Sequence, residues 1–444
     1  MVNLADIHKI YFIGIGGIGM SALARYFKRQ GIEIHGYDRT ETELTRALAQ
    51  EGMFVHYEDD VRFIPENVDL VVFTPAVPAD HTELLWFRER NYPIKKRAEV
   101  LGIISRSRST VAIAGTHGKT TTSSMTAHLL RACGVDANAF VGGIALNLGG
   151  NYAEGSSEWV VVEADEYDRS FLHLHPDVAV VNSVDADHLD IYGTEAAVQE
   201  SYAQFAKQVK KGGQLFVRHG IELGVPAQTF GIENGYWQAR SVRVEQGFMV
   251  FDLYEGENRR FEALRLPYPG LHNVANATAA IACALRAGAD ASKIPDALTA
   301  FRGVKRRFEY ILKNADCVFI DDYAHHPAEL DATIRAAKAL FPDKKITGAF
   351  QPHLYSRTRD FAQGFAEALD LLDECLLLDI YPARELPIEG VSSATIAGLM
   401  QHKPTLCSKS ELPELLQQRR PEVLLTMGAG DIDTLLQTIK TKLQ

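Results

Sequence analysis

Residues 109–132 read STVAIAGTHGKTTTSSMTAHLLRA. A β-branched run over 109–114 leads into Gly115-Thr116-His117-Gly118-Lys119-Thr120-Thr121 and then into a helix-length stretch over 120–132. The order predicts a strand, a tight loop and a helix. Consecutive loop amides at a helix N-terminus make an anion cradle. A lysine there can neutralise a transferring phosphoryl group, and the hydroxyl of Thr120 can hold a hard cation such as Mg²⁺. The loop departs from the G-x-x-x-x-G-K-[ST] spacing, since Ile113 stands five residues before Gly118. No N-K-x-D stretch occurs, so a guanine-type base site is not indicated.

The same alternation extends along the chain. Short apolar runs at 10–13, 70–73, 159–162, 178–181, 317–320, 346–350, 375–378 and 423–426 are separated by helix-length segments and loops. Continuous apolar runs of this length suit parallel strands covered on both faces. The fold class is α/β. The pattern restarts near Val111, after a basic polar segment at 95–109, and again near Tyr310, after Lys305-Arg306-Arg307. These restarts place boundaries near 107 and 309. Between 228 and 266, short alternating segments with turn residues predict antiparallel hairpins added to the middle block.

With 444 residues there is room for about three domains. The formal charge of -11 argues against general nucleic-acid binding but leaves phosphorylated ligands open. Five widely spaced cysteines, with no C-x-x-C pair, read as scattered core thiols rather than a disulfide framework. The N-terminal stretch is a poor signal peptide, and no run approaches the ~18 apolar residues of a membrane helix.

Further segments carry chemistry. Gly14-Ile-Gly16-Gly17-Ile-Gly19 follows the first strand and opens a helix, and Asp38 ends the second strand. The glycines permit a tight turn that brings backbone N–H groups to a pyrophosphate, and an acid at that place can take ribose hydroxyls. The motif alone does not separate NAD from another nucleotide diphosphate. Glu163-Ala-Asp165-Glu166-Tyr-Asp168 and Asp185-Ala-Asp187-His188-Leu-Asp190 follow later strands of the middle block. Strand ends of an open parallel sheet are where ligands sit, so these groups are candidates for a second Mg²⁺. Gly270-Leu-His272-Asn273-Val-Ala-Asn276 opens an alanine-rich helix, where the asparagines either cap the helix or meet a ligand. Arg307 is either a solvated linker residue or a phosphate clamp. Asp321-Asp322-Tyr-Ala-His325-His326-Pro327 lies between a strand and a helix that opens at Pro327.

Taken together and in this order, the GTxGKTT loop, the Glu after the next strand, the DHLD segment, GxHNxxNA, GxxRRFE and the Asp of DDYAHHP resemble the Mur ligase family over nearly the whole chain. Within it, GIGGIGMSALA, DDYAHHPAE, FQPHLYSRTRDF and LDIYPARE are most similar to members that add L-alanine to UDP-N-acetylmuramate. The resemblance implies three α/β domains: a Rossmann-like UDP-sugar domain at 1–107, a P-loop ATPase-type domain with added antiparallel strands at 108–309, and a Rossmann-like amino-acid domain at 310–444. It implies ATP and two Mg²⁺ ions as the nucleotide and metals, UDP-N-acetylmuramate and L-alanine as partners, a cytoplasmic monomer or weak homodimer, and no nucleic acid or membrane.

The roles carried over are as follows. Gly115, Thr116, His117, Gly118, Lys119, Thr120 and Thr121 would bind ATP phosphates. Thr120, Glu163 and His188 would hold metal. His272, Asn273 and Asn276 would lie at the nucleotide, Arg307 would bridge phosphate and substrate, and Asp322 would hold the ribose. Gly14, Gly16, Gly17, Gly19, Asp38, Thr74 and Ala76 would take the UDP-sugar, with Thr74-Pro-Ala76 replacing the usual Ser-Ser-Ala-like loop. His325, His326, His353, Arg357 and Arg359 would meet the amino acid. Leu354 stands where many members have Arg, and Ser183 where many have Asn. Lys119, Glu163, His188 and Arg307 would be catalytic. Three other readings stay open at this point: a sibling ligase that adds a peptide to the same sugar nucleotide, an NAD-dependent dehydrogenase, and a non-enzymatic P-loop switch that uses ATP to control a partner.

Overall fold

The computed structural model describes residues 4–185, 189–383 and 385–444. Three sheets follow one another along the chain. In the first, Lys9–Ile13 is central. Glu33–Tyr37 and Phe54–His56 lie to one side and Leu70–Phe73 and Ile94–Lys96 to the other, all parallel. Successive side chains of a strand point to opposite faces. Accordingly Ile10 and Phe12 join one buried cluster, and Tyr11 and Ile13 join another.

The middle sheet has ten strands. Ser109–Ala114 lies between Trp159–Glu163 and Val178–Val181, parallel to both. Asn138–Ala145 and its antiparallel partner Gly150–Ala153 close one end. These two strands escaped sequence reading because their glycines and polar residues break the apolar pattern. At the other end, Trp237–Glu245, Phe248–Glu255 and Asn258–Leu266 are consecutive neighbours. The first two are joined by Gln246 (φ 52°) and Gly247 (φ 81°), the left-handed pair that a tight hairpin turn requires.

The third sheet runs Glu309–Lys313, Val318–Asp322, Val423–Met427, Ile346–Phe350, Glu374–Leu378, Thr405–Cys407. Only the Glu309–Lys313 edge is antiparallel. The fold is thus mixed α/β, as expected. The basic, polar 95–109 segment, where the first block winds down, ends a strand and forms the helix Arg97–Ser107, because Ala98, Val100, Leu101 and Ile104 give it an apolar stripe.

Packing groups the chain into two compact units. One contains residues 1–241, 251–264 and 275–302, and the other contains 242–250, 265–274 and 303–444. All five cysteines are buried free thiols. Among the described residues, no helix is long and apolar enough to cross a membrane.

Candidate active site

The strand Ser109–Ala114 delivers the loop 115–118 to the helix Lys119–Ala132. Gly118 caps that helix in the left-handed region, at φ 79°. A Cβ at Gly118 would come within 2.8 Å of Asn276 Oδ1 and 3.0 Å of Asn182 Nδ2. Both its conformation and its surroundings therefore require glycine. The adjoining amides are anchored to the segment after Val178–Val181: Thr116 N–H donates to Ser183 O (3.3 Å) and His117 N–H to Ser183 Oγ (2.8 Å). Thr116 Oγ1 donates to Asp185 O at 2.9 Å. Thr121 is buried in the first turn. A Gly118→Ala change is expected to lower nucleotide affinity at least about tenfold, since strain and overlap add. A fluorescent nucleotide titration measures this.

Lys119 Nζ donates to Gly115 O (2.7 Å) and Glu166 Oε1 (2.9 Å), and Glu166 Oε2 is 2.8 Å away. Burial works against the ammonium, but the carboxylates of Glu166, Asp165 and Glu163 outweigh it and hold its pKa above the ordinary value. Burial also pushes the Glu166 carboxyl up. The Thr120 hydroxyl donates to Glu163 Oε1 at 3.0 Å, while Gly142 N–H donates to Glu163 Oε2 at 2.9 Å. The sequence singled out the 163–168 acidic segment, but it did not indicate that Glu166 is the one that meets Lys119. His188 lies outside the described residues.

The glycine loop of the first sheet is built similarly. Gly14 and Ile15 N–H donate to Tyr37 O (2.8 and 3.0 Å), and Gly16 N–H donates to Asp38 Oδ2 (2.7 Å). In this structure Asp38 therefore braces the loop itself. Gly17 N–H donates to Gly14 O at 3.2 Å. A Cβ on Gly14 would press on Thr74 Cγ2 at 2.8 Å, and one on Gly19 would strike the guanidinium of Arg97. Ala76 lies in the same turn, closed by Val77 N–H to Thr74 O at 3.1 Å. Arg97 was not singled out from the sequence. Its Nη2 lies 3.3 Å from Asp165 Oδ2, and the neighbouring Lys96 Nζ is 2.7 Å from Asp168 Oδ2.

The second compact unit gathers another set. Arg307 Nη1 is 3.7 Å from Glu329 Oε1, His325 Nδ1 is 3.2 Å from Glu329 Oε2, and Arg357 Nη1 is 3.3 Å from His353 Nδ1. The rings of His325 and His353 lie 6.2 Å apart. Arg359 is different: it is exposed and pairs with Asp360 at 2.7 Å. His326 caps the helix Pro327–Leu340 and packs on Phe361. Asn273 Nδ2 donates to Pro269 O at 2.6 Å, and His272 lies against Gly270.

Asp322 accepts from Phe308 N–H (2.7 Å) and Ala324 N–H (2.8 Å). Burial pushes its carboxyl up to about 6, against the pull of Arg307 and of those two amides. The folded chain then holds this proton more tightly than the unfolded one, whose aspartates titrate near ~3.9. The stability this group contributes is full below about pH 4 and is lost as the pH rises through about 6. Relative to Asp322→Asn, the wild type is expected to lose up to about 3 kcal/mol between pH 4 and pH 7. Urea unfolding at each pH reads the gap, and a constant gap would rule out this titration as its source.

Three family profiles match the chain in succession: the Mur ligase family, catalytic domain, over residues 9–109; the Mur ligase middle domain, over 113–284; and the Mur ligase, glutamate ligase domain, over 306–430. The UDP-N-acetylmuramate–L-alanine ligase of Cytophaga hutchinsonii is 48% identical, covering 99% of this chain and 97% of that one. The chain belongs to the Mur ligase family. The similarly named ligase of Flavobacterium johnsoniae is also 48% identical, over 100% of this chain and 99% of its own. Among solved structures, the UDP-N-acetylmuramate–alanine ligase of Thermotoga maritima superposes with a TM-score of 0.85 at 30% identity, covering 98% of each chain. A murein peptide ligase from Psychrobacter arcticus shares the fold at 24% identity and a TM-score of 0.73. In this Mur ligase the sheet that carries the P-loop comes second of three along the chain, and the glycine loop follows the central strand of the first.

Proposed function

We propose that this Mur ligase joins L-alanine to the lactyl carboxylate of UDP-N-acetylmuramate at the expense of ATP. The observation that carries the reading is the meeting of the Lys119 ammonium and the Thr120–Glu163 oxygen pair at one strand end. Full-length similarity to ligases of that name supports it. A carboxylate is a poor electrophile, so the γ-phosphoryl group is first transferred to it, giving an acyl phosphate and ADP. The amine of L-alanine then attacks the acyl carbon, and inorganic phosphate leaves. Lys119 and Arg307 offset the charge on the transferring phosphoryl group.

The Thr120 hydroxyl and the Glu163 carboxylate form the hard oxygen donor set that Mg²⁺ favours. We assign Thr120 to a first ion, and Glu163 with His188 to a second. When bound, the metal polarises phosphoryl oxygens. The UDP-sugar is assigned to 1–107, ATP to 108–309 and L-alanine to 310–444. Gly14, Gly16, Gly17 and Gly19 take the pyrophosphate. Arg357, with His353 and His325, takes the amino-acid carboxylate. Such substrates place the enzyme in the cytoplasm, as a monomer or weak homodimer.

Phosphate release with ATP, Mg²⁺ and UDP-N-acetylmuramate, compared across L-alanine, glycine, L-serine and a peptide, tests the reading. Release is expected to require the sugar nucleotide and to be fastest with L-alanine. Faster release with the peptide would instead assign the chain to the peptide-adding siblings.

A further inference from the structure

A second polar cluster lies under the first sheet and is used by none of the roles above. His81 heads the helix Thr82–Glu89, and Asp59 caps the same helix by accepting from Thr82 N–H (3.0 Å) and Glu83 N–H (3.1 Å). Glu83 is fully buried and accepts the Tyr11 hydroxyl on Oε2 at 2.8 Å. Its Oε1 lies 3.4 Å from His56 Nε2, whose ring is fixed by a 2.9 Å bond from Nδ1 to Glu58 O.

His81 is the anomaly. It is 7% exposed, yet neither ring nitrogen makes a hydrogen bond. A buried imidazole left this way costs free energy that a core position normally avoids. Its Nδ1 is 3.3 Å from Asp59 Oδ1, long for a hydrogen bond between these groups. One ligand atom each from Asp59, His81 and Glu83 all fall within 4.8 Å of one another. Two ligands at about 2.0–2.1 Å from a tetrahedral ion stand ~3.3 Å apart, which is the separation of His81 Nδ1 and Asp59 Oδ1, and Glu83 offers an oxygen within 4.8 Å of both residues.

We infer that Asp59, His81 and Glu83 form a site for a zinc-class divalent ion, with water as the fourth ligand on the solvent side of Asp59. The Tyr11 hydroxyl, itself 2.7 Å from His56 Nε2, orients the Glu83 carboxylate, as outer partners of metal ligands do. The role is structural: the ion ties the helix Thr82–Glu89 to the segment that follows Phe54–His56.

Cobalt reports such a site, because tetrahedral Co²⁺ absorbs strongly in the visible. The full-length chain, stripped with chelator and held in excess Mg²⁺ to occupy oxygen sites, is titrated with Co²⁺. One equivalent is expected to develop the tetrahedral band in the wild type and in Glu163→Gln. His81→Asn is expected to weaken binding at least tenfold. Asp59→Asn, which keeps one of the two oxygens that cap the helix, is expected to do the same and decides the matter if the His81 variant fails to fold. No tetrahedral band in the wild type, a band that survives Asp59→Asn, or a band lost in Glu163→Gln would overturn the site. The first two results would leave a hydrogen-bonded core cluster, and the third would place the ion at the nucleotide loop.

Discussion

Lys119→Ala is expected to lower kcat for sugar-nucleotide-dependent phosphate release by about 10²–10³-fold, the scale seen when one preorganised donor to a developing charge is removed. The side chain is held by Gly115 O and Glu166, so its ammonium is positioned before any ligand arrives. Arginine is not expected to rescue it, because a planar fork does not fit a place shaped for a point charge. The fold should survive. Glu166 is 3% exposed and loses its counter-ion, but burial already pushes its carboxyl up, which favours its neutral form once the ammonium is gone. Urea unfolding should show a loss of about 1–3 kcal/mol, the cost of an unmade buried bond. Turnover within tenfold of the wild type would remove Lys119 from the chemistry.

Arg306→Met is expected to give the largest loss of stability, about 3–5 kcal/mol at pH 7.5. Arg306 Nε lies 3.2 Å from Asp321 Oδ2, Nη2 donates to Gly428 O at 2.6 Å, and Nη1 is 3.2 Å from Asp433. Asp321 is fully buried, and among the described residues its carboxylate has one further partner, the Thr426 hydroxyl at 2.6 Å. Burial pushes the Asp321 carboxyl up to about 6 even with Arg306 beside it. Without Arg306 that value rises further, so the loss should shrink below pH 6, where the acid is protonated. Adding Asp321→Asn should recover part of the loss, and a double-mutant cycle read by urea unfolding isolates the coupling. A loss below about 1 kcal/mol at pH 7.5 would mean that the unit relaxes around the cation.

What the sequence made legible was local. The strand–loop–helix order at 109–132 and the glycines that follow Ile13 need only a few neighbouring residues to be read. The pairings that complete each site are distant in sequence. Arg97 reaches Asp165 across 68 positions, and Lys119 reaches Glu166 across 47. Two carboxylates three residues apart, Glu163 and Glu166, look equivalent in sequence. A tight turn after the strand sends one to Thr120 and the other to Lys119. The oxygens of Asp38 and Asp322 are engaged by backbone N–H groups, a use that composition and spacing do not announce.

Arg97 answers to two anions at once. Its guanidinium lies against Gly19, at the end of the glycine loop, and it also holds Asp165, one of the carboxylates whose field sustains the charge on Lys119. If a diphosphate binds at the glycine loop, as proposed, an anion that drew Arg97 toward Gly19 would weaken its hold on Asp165, and that carboxylate would then act more strongly on Lys119. Any such coupling would be reciprocal: whatever factor the diphosphate imposed on triphosphate affinity at Lys119, the triphosphate would impose in return.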